Sequence, residues 1–122
     1  MTNGFLVWAG VFGFLGVATG AFGEHGLREH LDEKALQTFG IGSRYVLVHA
    51  VALLGVALAR EARPSTALTV SGGSFVVGMA VFGGSLWALA LTGVKWLGAI
   101  TPIGGLAFLV GWLALVVAGA RG

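Results

Sequence analysis

Four long apolar stretches alternate with short polar ones along this chain, at about Phe5–Phe22, Arg44–Ala59, Ala67–Leu91 and Leu97–Ala120. A helix rises about 1.5 Å per residue and the hydrocarbon slab is about 30 Å thick, so about 20 apolar residues cross it. The first, third and fourth stretches reach that length alone. The second, clean for about 15 residues after Arg44, gains length from Ile41–Ser43 or sits where its neighbours thin the bilayer. The pattern predicts an all-α integral membrane bundle of four transmembrane helices, a single domain over residues 1–122. No Lys or Arg precedes the first stretch, which is also long and glycine-rich for a cleaved signal, so it reads as a retained span.

One hydrophilic segment, between spans 1 and 2, holds most of the charged residues and two of the three histidines. Within it Leu27, Leu31, Ala35 and Phe39 recur every four residues, with Leu36 beside them, while Arg28, Glu29, Asp32 and Glu33 fall on the other side. That is an amphipathic helical period, and it predicts an interfacial helix over about 24–39. Asp32 suits an N-cap with Glu33 in the first turn, and Leu31 and Leu36 are placed as a hydrophobic staple. Pro64 marks the end of the second span, and Thr92–Trp96 form a turn with Lys95 and Trp96 at headgroup depth. In the last span Thr101-Pro102 has two readings: Thr101 caps a helix beginning at Pro102, which is preferred, or Pro102 kinks a longer helix. Four spans place Arg60, Arg63 and Arg121 on the side of the N-terminus and Arg28, Lys34, Arg44 and Lys95 on the other. Three against four does not set an orientation.

Composition narrows the function classes. Apolar residues make up 57% and charged residues 10%, against roughly 25% charged in an ordinary soluble domain. Mean hydropathy is +0.93. A small soluble domain has too much surface to cover with so few charges. The absence of cysteine excludes disulfides, thiol catalysis, Fe–S clusters and thiolate zinc sites. Seven Lys and Arg stand against five Asp and Glu with no basic cluster, which argues against nucleic acid as a partner. There is no phosphate-binding loop, dinucleotide fingerprint, HExxH or supported Ser/His/Asp set, so the reading leans away from an enzyme and names no cofactor or metal.

The 22 glycines carry a packing pattern. In the first span Ala9, Gly13, Gly16, Gly20 and Gly23 keep small residues on one face, and Gly104, Ala107, Gly111, Ala114 and Ala118 do nearly the same in the last. Lipid offers helices no hydrophobic reason to associate, so close approach through small residues supplies dispersion contacts instead. Gly13, Gly16, Gly20, Gly104 and Gly111 are therefore expected at helix contacts. A face left over would support a homo-oligomer.

His49 is the residue of most chemical interest. It lies five positions after Arg44, about 7.5 Å deeper, with Tyr45 one turn before it on the same face. An ionisable group at that depth faces protein or a water-filled cavity. The bland alternative is a neutral imidazole hydrogen-bonded to Tyr45 or to a neighbouring helix. Glu24, His25, Arg28 and Glu29 cluster where the first span ends, with His25/Glu29 and Glu24/Arg28 at i, i+4 if that segment is helical. Arg44 reads as a snorkelling side chain, and the four tryptophans as belt or core residues. If the second span folds back beside the first, His25, Arg44 and His49 converge near one membrane face. The candidate ligand-binding residues are thus His25, Arg44, Tyr45 and His49.

Four motifs then resemble the DUF423 family of small bacterial inner-membrane proteins, itself similar to a eukaryotic small transmembrane family. They are Gly20–Leu27, Tyr45–Ala50, Gly84–Ala90, and Ile100–Gly105 through Gly111-Trp112. The resemblance spans nearly the whole chain and implies a four-span membrane protein, with no biochemical activity attached. It draws attention to His25, Tyr45, His49, Ser85, Thr101 and Pro102. The chain departs from the pattern at Glu24, where a small residue is expected, at Val46 and Val48, which replace more polar neighbours of His49, and at Trp87, which replaces a tyrosine.

Three functions compete. The first is a non-enzymatic membrane module that binds a lipophilic small molecule, a cofactor or a partner near His25 and His49, or gives structural support. The second is an oligomeric channel or transporter subunit, which needs a continuous polar face. The third is a redox protein holding haem or a metal between His25 and His49. The lipid bilayer is the one partner all three share.

Overall fold

The computed structural model describes residues 2–122, with the side chain of Glu24 also outside the description, so the Glu24/Arg28 pairing falls outside the described residues. Five α-helices and one π-helical turn account for most of it: α1 Gly4–His25, α2 Glu33–Ala62, α3 Thr66–Gly78, the π turn Met79–Gly83, α4 Gly84–Thr92 and α5 Leu97–Arg121. α3, the π turn and α4 run on as one membrane-length helix, Thr66–Thr92, giving four helices long and apolar enough to span a bilayer. They alternate in direction, which puts the start of α1 and the end of α5 on one side.

The helix starts follow local chemistry. Asn3, Asp32 and Ser65 each have extended backbone, and their side chains accept from the N–H of Leu6, Ala35 and Leu68. Gly93, at φ 72°, closes the end of α4 in the left-handed region that glycine enters without strain.

Two elements differ from the sequence expectation. No separate interfacial helix forms over 24–39. Residues 26–31 are turns and bends, and the amphipathic segment becomes the first turns of α2, which passes through Gly40 and Gly42 unbroken for 30 residues. The capping bond at Asp32 starts the helix, and at Gly42 packing holds it: a Cβ there would stand 3.1 Å from the Trp87 indole nitrogen and 3.2 Å from Leu86. The resulting helix is about 45 Å long, so the short second span is completed from upstream.

The last span does not begin at Pro102 either. α5 starts at Leu97 and carries Pro102 inside it. Thr101 does not cap: its hydroxyl meets Ser85 Oγ at 2.6 Å and the Leu97 carbonyl at 3.4 Å.

α2 is the central element, packed along α1 on one flank and against the third span on another, while α5 covers α3, the π turn and α4. The core is built from Val46, Leu53 and Val56 of α2 with Phe75 and Met79 of the third span. Glycine lets the helices close. Gly16 packs on Leu47, Gly23 on the Phe39 ring, Gly72 on Phe5, Gly83 on Val46, Gly104 on Phe82 and Gly111 on Phe75. Of the glycines expected at contacts, a Cβ on Gly13 would reach Ala50 only at 4.0 Å, and one on Gly20 would meet nothing within 4 Å.

Candidate functional site

Hydrogen bonds cross the helix interfaces at several levels. Trp87 Nε1 donates to Ser43 Oγ (3.1 Å), Ser43 donates to Thr19 Oγ1 (2.7 Å), and Thr19 donates to the Leu15 carbonyl (2.7 Å), linking α4, α2 and α1 in one relay. Ser71 Oγ donates to the Gly111 carbonyl at 2.8 Å, tying α3 to α5. Asn3 Nδ2 donates to Ala57 O and to Glu61 Oε2, tying α1 to the end of α2. Ser71 and Ser85, the latter through Thr101 Oγ1, thus carry bonds between helices.

The bond that joins α2 to α5 runs through His49, which is buried. Its Nδ1 lies 2.7 Å from the Tyr45 carbonyl oxygen, and its Nε2 lies 3.0 Å from Trp112 Nε1. A carbonyl can only accept, and an indole N–H can only donate. The two neighbours thus assign the neutral ring with the proton on Nδ1, donating to Tyr45 O and accepting from Trp112. Both ring nitrogens are engaged.

Around this clamp stand five aromatic rings. Phe108 stacks on the imidazole at 3.7 Å between centroids and 11° between planes, and Phe75 and Trp112 meet it edge-on at 5.4 and 5.7 Å. Tyr45 lies 4.8 Å from Phe82, which belongs to the π turn. A π turn admits an extra residue into the helix and is frequent at functional sites. Here it is the element that supplies Phe82 to the groove.

Tyr45, Phe82, Phe108 and Trp112 frame a groove of about 530 Å³ between α2, the π turn and α5, its opposite wall formed by Pro102, Gly105, Leu106 and Leu109, while Phe75 lies buried behind His49. That volume falls within the ordinary range for small-molecule sites. The groove opens sideways, toward the hydrocarbon, because Tyr45, Leu106 and Leu109 are all exposed on the outside of the bundle. The Trp112 N–H and the His49 nitrogens turn toward each other or the backbone, so the surface offered to a ligand is almost wholly carbon.

The structure brings Tyr45 and His49 together in this groove and adds Pro102 to its rim. It does not bring in His25 or Arg44. His25, the last residue of α1, is exposed and lines neither groove described here. Arg44 opens onto a second groove, between α1 and α2. Phe75, Phe82, Phe108 and Trp112 are the members of the site that the sequence reading passed over. The four-residue step from Phe108 to Trp112 puts both rings on one face of α5, a signal that was available.

Comparison with known proteins agrees that this is a membrane protein. Residues 19–105 match the family described as "Protein of unknown function (DUF423)". The chain is 38% identical over 118 residues to the UPF0382 membrane protein YwdK of Bacillus subtilis, covering 96% of each chain. It is 41% identical over 115 residues to a UPF0382 membrane protein of Haemophilus influenzae, covering 94% of this chain and 92% of the other. It is 36% identical over 122 residues to the UPF0382 inner membrane protein YgdD of Escherichia coli, covering 99% and 93%. No solved structure matches. With relatives aligned almost end to end and the family match running from late α1 into α5, the chain belongs to the DUF423 family.

Proposed function

We propose that this integral membrane protein is a non-enzymatic binding module of the bacterial inner membrane, and that the aromatic groove beside His49 holds an apolar molecule dissolved in the bilayer. The observation that carries this reading is the direction of the polar atoms. His49 and Trp112 satisfy one another, leaving ring faces and aliphatic carbon toward a lipid-facing space of about 530 Å³. Such a surface gains nothing from a charged or hydrated ligand, whereas an acyl or isoprenoid chain or a flat hydrocarbon ring fills it with dispersion contacts. The rigid clamp keeps the rings in place before anything binds, which reduces the ordering cost of association.

The competing readings find less support. A conducting pore asks for a continuous polar face, and the hydroxyls of Thr19, Ser43, Ser71, Ser85 and Thr101 are instead engaged between or along helices. Ligation of haem or a metal by His49 requires Nε2 to give up Trp112, and among the described residues no group of three His, Cys, Asp or Glu is placed to hold a metal ion.

Photolabelling tests the proposal directly. A diazirine-bearing fatty acid in vesicles should label Leu106, Leu109 and Tyr45, and excess unlabelled fatty acid should suppress that labelling while leaving Val116 unaffected. Labelling that is equally non-saturable at Leu106 and Val116 would mean that the groove is ordinary lipid-facing surface.

A further inference from the structure

The second groove has a different chemistry. It measures about 670 Å³ and lies between the C-terminal half of α1 and the N-terminal half of α2, sharing no lining residue with the aromatic groove. Its deep end is formed by Gly16, Gly20 and Leu47 with the Thr19 and Ser43 hydroxyls, which are already engaged with each other and with the backbone, and its mouth carries Arg28, Glu33 and Arg44. The depth of Arg44 follows from the helix pairing. Ser43 bonds Thr19, so Arg44 lies level with Thr19, about four residues or roughly 6 Å inward from Gly23, where the apolar part of α1 ends. A guanidinium anchored there has to extend along the groove to reach the headgroup layer. Arg44 is exposed, and no described residue pairs with it.

We infer that this groove is a binding site for an anionic phospholipid, with the phosphate at Arg44 and one acyl chain lying on the glycine floor at Gly20. Charge and shape both support the assignment. Arg44 supplies the positive charge: it has no partner among the described residues, and Glu33, the acidic residue of the lining, lies eleven residues or about 16 Å away along α2. The cationic mouth sits over an apolar trough, in the same order as a phospholipid's own headgroup and chain. Arginine presents a fork of donors matched to phosphate oxygens. Gly20 on the floor and Gly40 nearer the mouth keep the groove open, since a Cβ at either would point into its space and meet nothing within 4 Å. Basic pockets between transmembrane helices at the headgroup level are a known way of holding acidic lipid. The inference stands independently of the aromatic groove.

The test is lipid titration by native mass spectrometry on the full chain in a non-ionic detergent, comparing phosphatidylglycerol with phosphatidylcholine of identical chains. The wild type should hold phosphatidylglycerol about fivefold more tightly, the effect expected of one cation near acidic lipid. Arg44→Gln should remove that preference, and Arg44→Lys should keep most of it. Gly20→Leu should weaken both lipids, because its side chain enters the trough without meeting protein. That variant keeps the test decisive even if Arg44→Gln does not fold. Equal binding of the two lipids to the wild type, or an unchanged preference in a folded Arg44→Gln, would overturn the inference. Displacement of phosphatidylglycerol by chain-free glycerol phosphate at equal concentration would overturn the lipid assignment in favour of a bare phosphate site.

Discussion

His49 shows how a membrane interior accommodates an ionisable side chain without leaving it available for chemistry. Its hydrogen-bonding groups have one acceptor and one donor as neighbours, and its ring face is covered by Phe108. Trp112→Phe keeps most of the ring contact and deletes only the N–H. It should cost about 1–2 kcal/mol, in line with hydrogen bonds between membrane helices, measured by unfolding in detergent. A double-mutant cycle of Trp112→Phe with His49→Ala should return a coupling of about 0.6–1.7 kcal/mol, and additivity would mean the pair is not bonded. Nitrogen NMR of His49 should show the Nδ1–H tautomer. A proton found on Nε2 instead would contradict the clamp.

Elements in this fold are set by where backbones come close. A Cβ on Gly111 would stand 2.5 Å from the Phe75 ring and 3.2 Å from the Ser71 carbonyl oxygen. Gly111→Val should therefore push α5 off α3, break the Ser71 bond and cost roughly 2–4 kcal/mol. Gly10→Ala, where a Cβ meets nothing within 4 Å, should be neutral or stabilising by up to about 1 kcal/mol. The same unfolding assay ranks the two, and equal effects would refute the packing described for α5. Much at this scale was legible in the sequence: four apolar stretches, the Asp32 start, and the stripes carrying Gly16 and Gly111. Other features depend on partners that no local spacing reveals. Thr101 reads as a cap until Ser85 takes its hydroxyl, so of the two readings of Pro102 the preferred start there gives way to the longer helix from Leu97 that carries it inside. Residues 26–31 have a helical hydrophobic period, yet they form turns before the Asp32 cap. The convergence of His25 with His49 rested on adjacency of spans, whereas His49 faces α5 across the bundle and His25 ends α1 in an exposed position. The π turn has no sequence marker at all.

For the whole molecule, four spans require both ends on one side of the membrane. The chain contains no cysteine, so single cysteines report topology against a clean background. Cysteines placed at Thr2 and Arg121 should react with a membrane-impermeant maleimide from the same side, and those at His30 and Val94 from the other. Opposite sides for Thr2 and Arg121 would mean an odd number of crossings. Within that frame the two grooves divide the work proposed for this protein. One is carbon-lined and opens to the hydrocarbon; the other is cationic at its mouth and opens toward the headgroups. The claim on which the functional account depends is occupancy of the aromatic groove, and Gly105 provides the means to test it. Gly105 lines the groove, and a Cβ there would meet nothing within 4 Å, so Gly105→Leu fills the space without disturbing the helices. The most direct measurement is native mass spectrometry of protein extracted from its own membranes in a mild detergent. The account predicts a discrete apolar adduct on the wild type that is absent from a folded Gly105→Leu variant; a wild type that carries no adduct, or an adduct retained equally by both, would contradict it.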